Sequence, residues 1–498
     1  MAEENSKIEA QSSYRSIFKA TTLFGGVQII QILVAVIRSK VVAVLLGPMG
    51  VGILGLYQSA ITMVQSVTSM GLSTSAVRDV SEASGQGDTE SVSRIVIIVR
   101  RLVWVTGLLG TIAIIAFSPI LSKVTFGSYD YVIPFISLSV VMLFDQLSAG
   151  QKVVLQGLRK LRDLAKASVW GALCGLVFTV PLYYLLGIQG IVPTLILNSI
   201  ITLFFSWVFS RKIKINKVEI SVGQTLKGGA SMLKMGLAMS LSGMLVYASS
   251  YFLRGFIRIE DGTEAVGIFT AGFTLLTSYV GMIFSAMGTD YYPRLAAVCK
   301  NQEKTNNIIN EQGEVASLIL GPLLIGFLLF MTFIVKLLYS DGFLGACDYL
   351  YWAIIGMMFK LGSWVIAYQI VAKGDMKTFI INELVANTYS FFFSIIGYRL
   401  GGQAGLGVAF SLGFIIYTIQ IYFVTTKKYH FALNSGFVKI YTIETLLVMA
   451  CMFLVKLISS TGFMYLVGVP LLIAALFWSF KELNKRIDLL SLIKMRIK

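Results

Sequence analysis

The sequence predicts an all-α, polytopic integral membrane protein with about 14 transmembrane helices, in two parallel six-helix lobes plus two C-terminal helices. Three observations predict this fold: the composition, the apolar runs and a weak internal repeat. Of the 498 residues, 56% are hydrophobic and only 13% are charged, about half the charged fraction of a soluble protein. The runs are continuously apolar, whereas the short strands of a membrane β-barrel would alternate apolar and polar residues.

Each predicted span is an apolar run of about 20 residues or more, the length that crosses the roughly 30 Å hydrocarbon core. Spans 1 to 6 are predicted at 17–46, 52–77, 95–120, 131–156, 166–186 and 190–210. Spans 7 to 12 follow at 229–256, 265–290, 313–338, 346–372, 378–399 and 404–426, and spans 13 and 14 at 438–458 and 463–480. No cleavable signal peptide is expected, because the first run is too long for one.

The positions of the basic residues predict the orientation. With the N-terminus in the cytoplasm, 28 of the 41 Lys and Arg residues fall on the cytoplasmic side, as the positive-inside rule requires. The outer loops are short, and their clear basic exceptions are Lys123 and Arg258. Both termini are therefore predicted to be cytoplasmic.

The predicted domains follow from the spans. They are a cytoplasmic tail (1–13), an N-terminal lobe (14–212), a cytoplasmic interlobe loop (213–228), a C-terminal lobe (229–428), two additional transmembrane helices (429–480) and a basic cytoplasmic tail (481–498).

An internal repeat relates the two lobes, with residue numbers that differ by an offset near 215. The segment 47–53, between spans 1 and 2, resembles 262–268, between spans 7 and 8. Six helices per lobe is an even number, so both lobes are predicted to have the same orientation, as in transporters with parallel repeats. Further matches pair Met70-Gly71 with Met287-Gly288, Gly157 with Gly374, and Gly187 with Gly401.

The sequence contains no motif for catalysis, nucleotides or metals. Its four cysteines show no paired spacing, and its single histidine, His430, lies in a basic loop. We therefore expect no cofactor, no metal and no enzymatic activity. The net charge of +16 does not indicate a nucleic-acid partner, because most basic residues lie in short loops where they set topology.

Cations inside the spans are the strongest functional signal. Lys360 is the deepest, near the middle of span 10; at that depth a cation is costly and usually faces a protein-lined cavity. Together such cations predict a cavity that attracts phosphate, to which Arg can bind bidentately and Lys as a point charge. The candidate substrate-binding residues are the span cations Arg38, Lys40, Lys234, Arg254 and Lys360, together with Arg258 just beyond span 7.

Other interpretations of these cations stay open. Lys234 and Arg254 lie towards opposite ends of span 7, so their side chains could extend to opposite interfaces. Arg38 and Lys40 could do the same, and Lys360 could form a buried ion pair with Asp145. Five cations closer to span ends are set aside as interfacial: Arg100, Arg101, Lys152, Lys336 and Lys456.

Asp145 in span 4 and Glu383 in span 11 are candidates for coupling to H⁺ or Na⁺. Glu383 and Asn387 share a helix face, which could help to bind Na⁺, although Glu383 could equally be a carboxylate at the cytoplasmic helix end. The residue numbers of Asp145 and Lys360 differ by 215, so the repeat predicts opposite charges at equivalent positions. Four aromatic residues could line a sugar-binding cavity or simply pack: Tyr247, Tyr251, Trp364 and Tyr368.

Three segments resemble a known family: 38–52 around Arg38-Ser-Lys40, 359–373 around Lys360, and Tyr292-Pro-Arg-Leu295. They are similar to Wzx-type flippases, which belong to the polysaccharide-transport branch of the MOP exporter superfamily. The resemblance implies a two-lobed transporter of the bacterial inner membrane that alternates between inward- and outward-open states. It also implies that Lys40, Lys360 and, less directly, Arg254 engage the substrate pyrophosphate.

By this resemblance the substrate is an undecaprenyl-pyrophosphate-linked oligosaccharide, such as an O-antigen repeat unit for lipopolysaccharide biosynthesis. Expected partners are this lipid-linked sugar, membrane lipids, H⁺ or Na⁺, and the polysaccharide polymerase machinery. The extra C-terminal helix pair is similar to that of lipid II flippases. The alternatives are a multidrug/cation antiporter of the same fold and a membrane enzyme of polysaccharide assembly. The candidate residues inside the spans favour an anionic substrate, because five are Lys or Arg and only two, Asp145 and Glu383, are acids.

Overall fold

The computed structural model describes residues 2–85, 89–213, 215–216, 218–458 and 460–487, and in these ranges every regular element is helical. The described residues contain ten helical stretches that are long and apolar enough to cross a membrane. Four of these, 39 to 54 residues long, are each long enough for two crossings. The predicted fold of about 14 spans is therefore confirmed. Lys214, Lys217 and residues 488–498 of the predicted loop and tail lie outside the described residues.

The helices follow one another with few intervening residues. The first are α1 (Ala2–Thr68), α2 (Leu72–Gly85), α3 (Thr89–Phe126), α4 (Val132–Gly157), α5 (Leu161–Leu186) and α6 (Ile191–Ser210). The next are α7 (Val222–Thr274), α8 (Met282–Val298), α9 (Gln302–Leu329), α10 (Met331–Leu338), α11 (Ala346–Ala372), α12 (Met376–Tyr429), α13 (Ser435–Leu457) and α14 (Thr461–Ile487). Shorter turns are the 3-10 helices Gly187–Gly190 and Asp341–Phe343 and the π-helix Leu275–Val280.

Packing divides the chain into two compact units, Met1–Val266 and Gly267–Lys498. In the first unit α4 packs on α3 and α6, and α5 packs on α6 and α1. In the second unit α11 packs on α12, and α9 packs on α13 and α14. The lobe limits given above, 14–212 and 229–428, stay predictions.

Single glycines interrupt two of the three longest helices, α1 and α7. Gly47 in α1 and Gly262 in α7 have positive φ angles of 63° and 82°, a conformation that glycine adopts without steric cost. Pro48 follows Gly47 at the first position of the resumed helix, where its missing N–H costs nothing. A straight helix of 67 residues would be about 100 Å long, three times the hydrocarbon core, so we infer that the chain reverses at Gly47 without a loop.

The backbone repeats at an offset of 215 in residue number. Gly47 and Gly262 share ψ values of −173° and −179°, and the φ angles of Gly187 and Gly402 are 55° and 53°. A third pair, Arg159 and Gly374, has φ angles of 54° and 70° at the corresponding helix ends. The repeat pairs predicted from the sequence were therefore wrong in two places. Gly187 pairs with Gly402 and not with Gly401, and Gly374 pairs with Arg159 and not with Gly157. Met70-Gly71 does not repeat: both residues have positive φ, whereas Met287-Gly288 is helical.

Three predicted spans are interrupted or displaced in the structure. Span 2 ends early because Met70 and Gly71 have φ angles of 50° and 60°, and α2 forms a separate helix. A Cβ atom on Gly71 would collide with the carbonyl oxygen of Gly236, so α7 approaches this kink too closely for a side chain. Span 8 is interrupted by the π-helix. Span 9 begins earlier because Asn301 caps α9, accepting from the Lys304 backbone N–H at 3.1 Å, and it is broken at Phe330.

Candidate functional site

A polar pocket of about 210 Å³ lies within the first unit, between α1, α4, α5 and α6. Its cationic walls are Arg38 and Lys152, and its neutral polar groups include Gln31 and Asn198. The Nε atom of Arg38 is buried without an acceptor among the described residues. A buried guanidinium donor without a partner is costly, so this pocket is suited to an anionic ligand. The full lining is Gln31, Arg38, Lys152, Ser168, Gly171, Ala172, Asn198 and Thr202.

Asp145 lies on α4 beside this pocket. Its Oδ1 atom accepts a hydrogen bond from Ser199 Oγ at 2.6 Å, and it interacts electrostatically with Lys152, two turns further along the same helix. Lys152 was set aside as interfacial, but the structure places it inside the unit. The sequence contained a signal for this, because residues two turns apart lie on one helix face.

Four of the other predicted cations, all in the first unit, have different surroundings. Lys40 is half-buried and two positions from Arg38, so it leaves α1 on another side. Lys234 is exposed. Arg254 is buried and donates to the backbone oxygen and Oγ of Ser250, one turn earlier. The fourth is Arg258.

Arg258 is bound to the turn between α3 and α4. Its Nη1 donates to the Phe126 carbonyl oxygen at 2.9 Å, and a Cβ atom on Gly127 would lie 2.8 Å from the same nitrogen. Tyr251, one of the predicted cavity aromatics, forms a 2.7 Å hydrogen bond with Thr125 in the last turn of α3, just before this turn. Backbone carbonyls that accept from a cation leave no trace in a sequence pattern, so these structural contacts were missed.

Lys360, on α11 in the second unit, is enclosed by aromatic rings. Its Nζ atom lies 5.5 Å from the ring centre of Phe284 and 5.6 Å from that of Phe414, within cation–π range. Within the described part of its own unit it forms no salt bridge. The alternative pairing with Asp145 stays a prediction, because the two residues lie in different units.

Trp364, one helical turn after Lys360, extends this aromatic surface. Its ring centre lies 5.5 Å from that of Phe284 and 5.0 Å from that of Tyr368. Tyr291 packs on both Trp364 and Tyr368. Two of the four predicted cavity aromatics are therefore next to the deepest cation, whereas Tyr247 is exposed on α7 of the other unit.

Glu383 is in α12, where its Oε1 accepts a hydrogen bond from the Tyr417 hydroxyl at 2.6 Å. Asn387 does not hydrogen-bond this carboxylate; its Nδ2 donates to the Glu383 backbone oxygen at 2.7 Å. Among the described residues no group of three or more His, Cys, Asp or Glu side chains could hold a metal ion. The local geometry is that of a carboxyl–phenol pair.

Glu444 is a buried acid that the prediction did not include, although it lies inside span 13. Its side chain is fully buried in α13, and Oε1 accepts from Ser479 of α14 at 2.5 Å. Oε2 has no hydrogen-bond partner in the described structure. It faces Gly321 of α9, where a Cβ atom would collide with the carboxylate. Glu444 thus connects α13 and α14 to α9.

Outside the spans, Asp375 joins the two ends of α12. It caps the N-terminus by accepting from the Thr378 backbone N–H at 3.2 Å, and it binds Lys428 and Tyr429 at the C-terminal end. Hydrogen bonds from Lys428, Tyr429 and Thr378 hold the pKa of the Asp375 carboxyl well below its usual range.

The fold and the charged residues inside its spans define the class: a multi-pass membrane transporter. A family model described as "Polysaccharide biosynthesis protein" matches residues 17–299, more than half of the chain. The chain belongs to this family, which confirms its resemblance to Wzx-type flippases.

Comparisons with characterised proteins agree with this assignment. The chain is 21% identical to the lipid III flippase of Escherichia coli (strain K12) over 406 residues, 81% of this chain and 96% of that protein. An inward-facing multidrug resistance MATE family transporter of the MOP superfamily superposes with a TM-score of 0.67 at 16% identity, covering 86% of this chain and 96% of the other. The lipid II flippase MurJ, in an inward closed conformation, gives 0.66 at 15% identity, covering 95% and 100%. At these identities the two structures show the shared fold.

Proposed function

We propose that this flippase carries a polyprenyl-pyrophosphate-linked oligosaccharide, such as an O-antigen repeat unit, from the cytoplasmic to the periplasmic leaflet of the bacterial inner membrane. The observation that carries the proposal is the pair of cations Arg38 and Lys360. Within the described residues neither has a carboxylate partner in its own unit. A cation held inside a span without a counter-charge is energetically costly, so such a residue usually has a function. The pyrophosphate of the substrate would supply the missing negative charge.

The two units would contribute in different ways. In the first, Arg38 offers a planar donor set for phosphate oxygens, beside the amides of Gln31 and Asn198. In the second, Lys360 offers a point charge between aromatic rings that can also stack against sugars. We propose that Lys40 and Lys234 contact the substrate near opposite ends of its path, because they lie towards opposite ends of their spans. We propose that Arg254 and Arg258 support the fold, because protein oxygens already accept from them.

Coupling to an ion is proposed for Asp145, Glu383 and Asn387. Asp145 hydrogen-bonds a serine and Glu383 a tyrosine, and both arrangements can hold a proton that moves on or off the carboxyl during transport. The Glu383–Asn387 pair would need further oxygen atoms to bind Na⁺.

The relatives support a lipid-linked cargo. The E. coli relative is a lipid III flippase, and the alignment covers 96% of it. MurJ covers 95% of this chain, against 86% for the MATE transporter. The difference in coverage is close to the combined length of α13 and α14, the C-terminal helix pair that resembles the extra pair of lipid II flippases.

Mass spectrometry of polyprenyl-linked lipids tests the proposal, in cells with and without the protein. We expect a complete oligosaccharide on its polyprenyl pyrophosphate to accumulate when the protein is lost. The same spectra identify the sugar. Re-expression of the wild-type protein serves as the control and should return the pool to its original size.

A multidrug exporter of the same fold is the second candidate, supported by the MATE superposition alone. Cells without the protein would then show an unchanged lipid-linked pool and new sensitivity to cationic dyes. That result would overturn the flippase proposal.

A further inference from the structure

A groove on the first unit, formed by α3, α4 and α6, has a volume of about 600 Å³ and no role in the proposed transport. Arg100 and Arg211 lie at one end of it, beside Trp104 and Trp207, and Phe204 and Ile200 continue into its apolar part. We call it the Arg–Trp groove. We propose that it binds an anionic phospholipid, whose phosphate contacts the two arginines while an acyl chain lies along the apolar part.

The arginines and tryptophans are matched in depth. Arg100 precedes Trp104 by four residues in α3, and Arg211 follows Trp207 by four residues at the end of α6. Each pair therefore shares a helix face, separated by one turn or about 6 Å. Span counting places both arginines at the side predicted to be cytoplasmic. Two cations thus lie at headgroup level with two tryptophans one turn deeper, in the position typical of interfacial aromatic residues.

The guanidinium groups in this groove have few protein partners. Arg100 is half-buried, and its Nε atom is buried without an acceptor in the described structure. Its neighbours in α3 differ: Arg101 donates to the Ile220 carbonyl oxygen at 2.8 Å, and Arg94 forms a salt bridge with Glu90 at 3.6 Å. Arg211 stacks on Trp207 at 4.7 Å.

The shape of the groove favours a lipid over a free anion. Trp104, Trp207 and Phe204 are 43% to 54% exposed, a large apolar surface that needs a lipid or protein cover. The distance from Arg211 to Ile200 is about 16 Å along the helix, half the hydrocarbon thickness and the reach of one acyl chain. Basic pockets between membrane helices on the cytoplasmic side bind anionic headgroups in this way.

Native mass spectrometry of the purified full-length protein tests this site. Phosphatidylglycerol and phosphatidylcholine with identical acyl chains are titrated, and inorganic phosphate is added as a competitor. We expect phosphatidylglycerol to bind about tenfold more tightly, and the double variant Arg100→Gln/Arg211→Gln to lose this preference. The matched control is Arg94→Gln/Arg162→Gln, which removes two exposed arginines from the same side and should keep it.

Each other outcome overturns the proposal. Equal preference in the wild type and the double variant would show that the groove is not the site. Displacement of the lipid by millimolar inorganic phosphate would assign the arginines to a free anion. If the glutamine variant fails to fold, Arg100→Lys/Arg211→Lys keeps both charges but loses bidentate geometry, and its affinity for phosphatidylglycerol should fall; an unchanged affinity would overturn the proposed guanidinium–phosphate contacts.

Discussion

Asp145 in the first unit and Lys360 in the second occupy equivalent places in the internal repeat, with opposite charges. Asp145 accepts a hydrogen bond from Ser199, and Lys360 lies over the ring of Phe414. The residue numbers of Ser199 and Phe414 also differ by 215, so these two partners are equivalent in the repeat. The two contacts join equivalent helices of the repeat, α4 with α6 in the first unit and α11 with α12 in the second. The first contact joins a carboxylate to a hydroxyl group, and the second joins an ammonium group to an aromatic ring. The repeated backbone therefore fixes where a side chain meets its neighbour and leaves the charge free to differ.

Replacing the ammonium should have the largest effect. We expect Lys360→Ala to reduce transport at least 100-fold, because a charged contact to phosphate is lost, while membrane insertion is unchanged. Lys360→Arg should retain part of the activity. The control is Lys456→Ala, because Lys456 also lies over a ring, that of Trp352 at 4.2 Å, but near the end of α13. Full transport by Lys360→Ala would remove Lys360 from the mechanism.

Removing the acid of the first unit should affect stability. Asp145→Asn leaves the Lys152 ammonium without its counter-charge, and we expect a loss of about 2 kcal/mol in the free energy of unfolding. Adding Lys152→Gln should recover about half of it, since the pair is then neutral. Denaturation of the four proteins of this double-mutant cycle in detergent measures the coupling. Strictly additive losses would contradict the Asp145–Lys152 interaction.

Replacing the partner side chains tests the surroundings of Lys360 and of Asp145 separately. Phe414→Leu removes one of two rings near Lys360 and should cost about 1 kcal/mol, seen as a several-fold loss of transport. Ser199→Ala removes a single hydroxyl from Asp145 and should cost a similar amount of stability. Thermal melting and transport are measured for both variants. A transport loss in Ser199→Ala as large as in Phe414→Leu would argue against the distinction between the units.

The smallest effect concerns the loops outside the spans, where Asp375 is equivalent to Lys160. The depressed pKa of Asp375 means that its stabilisation is present above the pKa of the unfolded chain, about 3.9, and is lost as pH falls through the lower folded value. Asp375→Asn should therefore lower stability by up to about 1 kcal/mol at neutral pH.

Melting temperatures from pH 7 down to pH 3 test this expectation. The difference between the wild type and Asp375→Asn should be constant to about pH 4 and then shrink. Lys160→Gln is the matched control at the equivalent, exposed position. A difference that grows as the pH falls would contradict the assigned hydrogen bonds.

Span number, helical class and repeat length were all predictable from hydropathy and glycine positions, because these patterns directly reflect the lipid solvent and the backbone. The repeat paired Gly187 with Gly401 instead of Gly402, because the sequence does not show which of the two adjacent glycines has the positive φ angle. Side-chain partners were not predictable: Arg258 binds a carbonyl oxygen, and Lys152 turns inward from a helix end. Glu444 could have been found, since an acid inside an apolar run is visible in the sequence.

The loop-free breaks at Gly47, Gly262 and Gly402 also bear on biogenesis. Two spans joined through only one or two residues lack a connecting loop that would allow one span to enter the bilayer before the other. The spans of α1 and of α12 would therefore leave the translocon as helical hairpins, two at a time. Such corners also expose almost no peptide to water, so proteases, antibodies and epitope tags would reach these three corners poorly.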